Sequence, residues 1–218
     1  MRFTTKALGL AAALVASAST ASAQAGIPIS GSAMGCFFFT VGGSCTPTQS
    51  ASAFGGALTY YGAQSFAGTS QTNGTRGFGG NPATSFAGNQ NNFGSFQVAN
   101  SMTGGAQSGF FTLMLTFSQP QAATGTYNAT VTGEVRMAND GSFTVDFPAS
   151  LNQPNFAPVV PSGGLIRGVQ VNDVTIEAGQ VASVTGSVAV VPEPSTYALL
   201  GTGLAGLLAA GRRRRAVA

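Results

Sequence analysis

The sequence predicts an all-β fold, an antiparallel sandwich or jelly-roll-like domain, with a short hydrophobic helix at each end of the chain. Apolar residues alternate with polar ones from Gly109 to Ser118 and again from Ala182 to Val190. Such alternation is typical of half-buried strands. No long amphipathic helix can be read between the two ends, so we expect antiparallel strands around one core.

The first helix, residues 1–23, has the three zones of a secretion signal. Arg2 and Lys6 form a positive start, an apolar run follows, and Ala21 and Ala23 offer the small side chains that a signal peptidase requires. We therefore predict a signal peptide that is removed after Ala23. A permanent N-terminal anchor is the alternative, but the residues after the apolar run are too small and polar to extend it across a bilayer.

Residues 24–109 and 110–191 differ in amino-acid composition, but we predict that they are parts of one domain. The first part is rich in Gly, Ser, Asn and Phe, and its segment Ser65–Gly68 is echoed by Ser85–Gly88. The echo fits a degenerate repeat, but short strands joined by long loops explain it more simply. The second part has the clearer β pattern.

The most detailed prediction is a hairpin at the turn Asn139–Gly141. A three-residue loop there pairs Met137 with Phe143 and Val135 with Val145, which keeps the apolar side chains on one face. A two-residue turn would mix the faces.

A second local prediction concerns the segment from Val169 to Ile176. Its apolar residues alternate in one phase before Asn172-Asp173 and in the other phase after it. One extra residue in a strand resets the alternation in this way, so the pattern predicts a β-bulge.

The hairpin register also produces one hypothesis about a site. It places Glu134 opposite Asp146, where cross-strand Cβ atoms lie ~5 Å apart. Two such carboxylates can bind Ca²⁺ or act as acid and nucleophile on a glycoside. The alternative is an exposed acidic pair partly compensated by Arg136. We prefer this last interpretation, so we predict no metal and no catalytic residue and keep Glu134 and Asp146 as the metal candidates to be tested.

Charge and composition exclude several functions. Residues 24–191 contain three basic and five acidic residues, a net charge of −2, although the whole chain is +3. Nucleic-acid binding is disfavoured because it needs clustered Lys and Arg. The chain has no histidine, and residues 24–191 have no lysine, so the usual bases that activate a nucleophile are missing. We expect a protein that is not an enzyme and needs no cofactor.

Cys36 and Cys45 are the two cysteines of the chain. Outside the cytoplasm such a pair most simply forms a disulfide. A metal-binding pair is the alternative, but the chain offers no histidine and no further thiol to complete a site.

The other end, residues 192–218, has three parts in order. A proline-rich motif that must be extended precedes an apolar segment at 197–211 and a basic stop. The apolar segment makes a helix of only ~22 Å, shorter than a ~30 Å hydrocarbon core, which suits a brief membrane insertion. The basic stop stays on the cytoplasmic side. The motif residues are Pro192, Glu193 and Pro194, and the stop residues are Arg212, Arg213, Arg214 and Arg215.

This tail resembles the PEP-CTERM sorting signal of Gram-negative bacteria. The match is carried by the Pro192–Pro194 tripeptide together with the apolar segment and the arginines, and it covers the tail alone. The resemblance implies processing by an exosortase, a membrane protease with a catalytic cysteine, in bacteria that make exopolysaccharide. A simple C-terminal tail anchor is the alternative.

These observations predict an exported protein that is anchored transiently in the inner membrane and then reaches the cell surface or the medium. Its expected partners are a signal peptidase, an exosortase-like enzyme, the membrane through its C-terminal helix, and exopolysaccharide, but no nucleic acid. We rank a structural or matrix protein first. A carbohydrate-binding module, with Tyr60, Tyr61 and phenylalanines stacking on sugars, is second, and a metal-dependent hydrolase is third.

Overall fold

A computed structural model of the chain describes residues 26–71, 74–82, 91–100, 105–135, 140–148, 166–190 and 203. The predicted signal peptide lies outside these residues. So does the sorting tail, except for Gly203. The two predicted flanking helices therefore remain predictions. No helix in the part that the structure describes is long and apolar enough to cross a bilayer.

The described part is built from thirteen strands and one 3-10 turn, Phe54–Gly56. The strands are β1 Pro28–Phe38, β2 Ser50–Ala53, β3 Leu58–Tyr61, β4 Phe66–Thr69, β5 Thr75–Phe78, β6 Ser95–Val98, β7 Gln107–Gln119, β8 Ala123–Val135, β9 Gly141–Asp146, β10 Ile166–Val171, β11 Val174–Glu177, β12 Val181–Ser183 and β13 Gly186–Val190.

These strands form three antiparallel sheets. The orders are β11-β9-β8-β7-β1-β4, β10-β13-β5 and β12-β6-β3-β2, and the arrangement includes a half-barrel. The predicted alternation is visible in β7, where Phe111, Leu113, Leu115 and Phe117 are buried and the residues between them are not. The all-β, antiparallel prediction is confirmed.

Aromatic side chains from different sheets fill the centre of the core. Tyr60 of β3, Phe96 of β6 and Phe111 of β7 contact one another, with ring centroids 4.9 to 5.2 Å apart. Phe66 contacts Phe93 at 5.2 Å in a second cluster. Aromatic pairs at these separations add stabilisation beyond the burial of their area. The Gly- and Phe-rich first part of the chain thus supplies much of the same core as the second part.

The predicted hairpin register is wrong, although its choice of faces is right. Val131 pairs with Val145 and Gly133 with Phe143, so five residues rather than three lie between the last paired residues, Val135 and Gly141. Every partner on β9 is therefore displaced by four positions from the prediction. Since four is even, the same side chains face the core, and Val131, Phe143 and Val145 are all buried.

The bulge predicted at Asn172-Asp173 is also corrected. The chain changes sheets at this point, because β10 pairs with β13 in the three-stranded sheet whereas β11 pairs with β9 in the six-stranded one. The alternation changes phase because β10 and β11 are separate strands. Each buries its apolar residues from a different sheet.

The disulfide prediction is confirmed. Cys36 of β1 is bonded to Cys45, with Cα atoms 6.0 Å apart. The bond closes a loop that carries Phe39 and Val41, the exposed large apolar residues of the described part, at 57% and 90% exposure.

Candidate functional site

The structure does not bring the two candidate carboxylates together. Glu134 pairs with Ser142, and Asp146 pairs with Thr130. Ser142 and Asp146 lie four positions apart on β9, which corresponds to ~13 Å along a strand. No group of three or more potential metal ligands occurs among the described residues. The predicted cross-strand pairing of Glu134 with Asp146 is therefore wrong, and the calcium and glycosidase hypotheses lose the geometry on which they depended.

A different carboxylate has a specific role, which the sequence did not reveal. The backbone N–H of Phe147 donates to Oδ1 of Asp173 at 2.8 Å. Next to it, the side chain of Asn172 donates to Oγ1 of Thr185 at 2.8 Å. These bonds hold the point where the chain leaves one sheet for the other. Asp173 is exposed, and its carboxylate fixes the backbone of Phe147.

The two adjacent tyrosines proposed as sugar-stacking residues differ in environment. Tyr60 is fully buried, and its hydroxyl donates to the carbonyl oxygen of Phe93 at 2.8 Å. Burial raises the pKa of Tyr60 far above its ordinary value. Tyr61 is half-buried on the other face, with its hydroxyl 3.1 Å from Oε1 of Gln97. Tyr60 therefore cannot be part of an exposed sugar platform.

The outward faces of the sheets carry rows of neutral polar side chains. Neighbouring strands join them through hydrogen bonds between side chains. These pairs are Thr112 with Asn128 at 2.7 Å, Ser30 with Ser118 at 2.8 Å, Ser52 with Thr59 at 2.9 Å and Thr144 with Thr175 at 3.3 Å. Such hydrogen-bonded polar pairs across neighbouring strands stabilise sheets. They also present a surface rich in hydrogen-bonding groups but poor in charge, which we name the polar ladders.

One apolar area interrupts the polar ladders, on the outer face of β1 and β7. Phe38 and Phe110 are paired across these strands and stack with ring centroids 5.1 Å apart. Met34 and Met114 are paired across the same two strands, four residues away from Phe38 and Phe110 and on the same face. All four side chains are half-buried. This aromatic pair is an outward ring surface that a flat ligand could meet, whereas the ring of Tyr60 is buried.

A shallow cavity lies on the outer side of β10 and β13. It measures about 160 Å³ and is lined by Gly168, Val169, Gln170, Ser187 and Ala189. Ligand sites usually enclose ~300 Å³ or more. The cavity is therefore smaller than expected for the site of a small molecule.

The sorting tail leaves the domain directly from a strand. Val190, the last residue of β13, is buried and pairs with Ile166, and the family model for the PEP-CTERM protein-sorting motif matches residues 190–215. The chain carries a PEP-CTERM sorting motif. No curated protein and no solved structure matches the chain. The PEP-CTERM motif indicates an exported protein that is transiently anchored in the membrane and sorted by an exosortase.

Proposed function

We propose that the mature β domain is a structural protein of the cell surface or the extracellular matrix, associated with exopolysaccharide. The observation that carries the proposal is the combination of a PEP-CTERM motif with polar ladders on the outward faces of the sheets. Polysaccharides present many hydroxyl groups. A neutral surface of hydroxyls and amides can exchange hydrogen bonds with them without desolvating charges.

The low charge of the domain supports the same proposal. Residues 24–191 have a net charge of −2, so repulsion between copies is small and close approach in a dense matrix is allowed. We also propose that the domain has no catalytic activity of its own. The separation of Glu134 from Asp146 and the lack of histidine in the chain support this view.

The first test concerns sorting and retention in the host cell. Intact mass is measured for protein from membrane, surface and medium, for the wild type and for a variant with Pro192, Glu193 and Pro194 replaced by alanine. We expect the wild type to lose the segment beyond the motif and to collect with the matrix, and the variant to stay uncleaved in the membrane. In cells that make no exopolysaccharide, the wild type should move to the medium. Identical fractionation with and without the polysaccharide would contradict the matrix role.

A carbohydrate-binding module is the second candidate, favoured by the stacked Phe38–Phe110 pair on an outward face. A polysaccharide pull-down with Phe110→Ala separates the two candidates. A carbohydrate-binding module should bind one class of glycan, and Phe110→Ala, which removes the aromatic ring, should abolish that binding. A matrix protein held by many weak contacts should be retained almost unchanged, because no single residue dominates its binding.

A further inference from the structure

The fold brings both ends of the domain to one place. At the N-terminal end, the backbone N–H of Ile27 donates to Oγ of Ser70 at 2.9 Å, and the N–H of Ser70 donates to the carbonyl oxygen of Ile27 at 2.9 Å. At the C-terminal end, the N–H of Val190 donates to the carbonyl oxygen of Gly74 at 2.8 Å. Ser70 and Gly74 are the two sides of a single loop, which joins β4 to β5.

We name this surface the chain-end pole. It comprises residues 26–28, 69–71 and 74–75, together with Ile166 and Val190. The two ends are thus both hydrogen-bonded to one loop of five residues, 70–74. Thus the predicted signal peptide and the sorting tail both leave the domain from the chain-end pole.

The exit of the tail is rigidly held. β13 is the central strand of its sheet, paired with β10 on one side and with β5 on the other. To free Val190 from its strand, the hydrogen bond to Gly74 must break and a buried valine must meet water. The segment that connects the domain to the motif therefore begins at Val191.

Covalent geometry then limits how far the motif can lie from the chain-end pole. An extended chain advances at most ~3.6 Å per residue, so Glu193 is within about 11 Å of Val190, and Tyr197 within about 25 Å. A folded protein of even 100 residues is about 30 Å across. A protease is wider than the distance between the motif and the chain-end pole. When its active site binds the motif, part of its surface must therefore lie against the chain-end pole.

The chemistry of the chain-end pole suits such a contact. Its exposed side chains, Pro28, Thr69 and Gln71, are neutral, and Ile27 and Ile166 are half-buried beside them. A partner can cover these residues without desolvating an ion, which is the main cost of burying charged surface. The nearby guanidinium of Arg76 lies over the ring of Phe78, 6.0 Å from its centroid.

We propose that the chain-end pole is a docking surface for the membrane-embedded protease that processes the tail, so that the enzyme reads folded surface as well as the motif. The proposal rests on exosortase sorting of this chain. It adds a second recognition element, supplied by the start of β1, the β4–β5 loop, the start of β10 and the end of β13.

The test compares processing rates of full-length precursors in the host, by pulse-labelling and intact mass. Thr69→Glu and Gln71→Glu place a charge on the chain-end pole, and Val41→Glu is the matched control in the loop at the opposite end of β1. We expect the two pole variants to be processed about tenfold more slowly, the effect of losing one good interface contact. The control should be processed at the wild-type rate. Formation of the Cys36–Cys45 disulfide and the thermal midpoint show that each variant has folded.

A second experiment changes the distance between the motif and the chain-end pole. A flexible Gly/Ser insert of about six residues after Val191 moves the motif up to ~20 Å away from the chain-end pole. We expect slower processing of this precursor and no further effect of Thr69→Glu within it. Wild-type or faster processing of the insert, or wild-type rates for both pole variants, would overturn the proposal. Replacement of Pro192–Pro194 by alanine tests exosortase sorting separately from docking at the chain-end pole. Processing that continues without the motif would contradict exosortase sorting, on which the docking proposal rests.

Discussion

Tyr60 shows how one residue can be assigned to the wrong side of a strand. Tyr60 and Tyr61 are adjacent in β3, so their side chains point to opposite faces. The sequence shows that one of them must be buried but does not say which. The structure buries Tyr60, which pairs with Phe96 and contacts Phe111, and leaves Tyr61 half-exposed.

Removing the hydroxyl of Tyr60 should destabilise the domain. In Tyr60→Phe the buried carbonyl of Phe93 loses its donor, and we expect the free energy of unfolding to fall by about 1–2 kcal/mol. Urea unfolding measures the change. Tyr61→Phe is the matched control, because its hydrogen bond lies in a half-buried position and its loss should cost less than about 1 kcal/mol. Equal losses in the two variants would show that burial of the acceptor is not the cause.

Two glycines should respond to alanine in opposite directions. At Gly35, on the inner side of β1, an added methyl would overlap the rings of Phe111 and Tyr60. We expect Gly35→Ala to cost about 1–3 kcal/mol through overpacking. At Gly77 in β5 the same methyl meets nothing within 4 Å, so Gly77→Ala should be neutral or stabilise by up to about 1 kcal/mol. Thermal unfolding of both variants tests this difference, and a similar loss at Gly77 would contradict it.

At the scale of elements, the hydrophobic pattern of the β8–β9 hairpin could predict faces but not register. Pairing Val145 with Val135, as predicted, or with Val131, as observed, places the same alternate residues on the core side. Only the number of residues in the loop distinguishes the two, and loop length leaves no trace in the alternation. The error then carried over to the site, because the opposition of Glu134 and Asp146 depended entirely on that register.

The alternation near the end of the domain has a similar limit. Its apolar residues continue in one phase from Ala182 to Val190, which predicts a single strand, yet the structure divides the segment into β12 and β13 in different sheets. Between them Val184 is fully buried. The pattern reports which residues face the core. It does not report which sheet they join when two sheets share that core.

The disulfide should stabilise a local element without being needed for the whole fold. Its loop spans nine positions, so in the chain-entropy model its removal costs about 3 kcal/mol at most. We expect the doubly substituted Cys36→Ala/Cys45→Ala protein to fold with a lower urea midpoint. Reductant should lower the midpoint of the wild type to the same value and leave the variant unchanged. A variant that does not fold at all would show that the loop organises more than its own region.

For the whole molecule, the sequence was most informative where strands are long and least informative where they are short. β7 was readable from four alternating apolar residues. In contrast, β2 to β6 have four residues each and lie among glycines, serines and phenylalanines. Their aromatic rings are placed by contacts with distant strands, such as Phe66 with Phe117 at 5.5 Å. Such contacts cannot be read from a local window.

The stability of the whole domain should hardly change from pH 6 to pH 9. The chain has no histidine, both cysteines are bonded, and no other side chain of residues 24–191 has an ordinary pKa in that interval. Burial raises the pKa of Tyr60 and of Tyr127 above the ordinary 10.0. The unfolded chain therefore releases these protons near pH 10 while the folded domain retains them.

It follows that stability is complete below pH 10 and falls as the pH rises above it, by about 1.4 kcal/mol per pH unit for each buried tyrosine. Unfolding midpoints measured between pH 6 and pH 12 test this expectation. Tyr60→Phe should reduce the slope above pH 10 relative to the wild type. A clear change of the unfolding midpoint near neutral pH would contradict the assignment of the pH dependence to the two buried tyrosines.

The central place of β13 also sets an order of events during export. A chain that crosses the membrane from its N-terminus delivers β5 and β10 before β13, yet among the strands that the structure describes these two are joined in their sheet through β13. Their sheet must therefore wait for residues 186–190, which arrive just ahead of Pro192. A completed domain means that the whole chain up to the sorting motif has already crossed. In this way the position of a single strand places folding and sorting in a fixed temporal sequence.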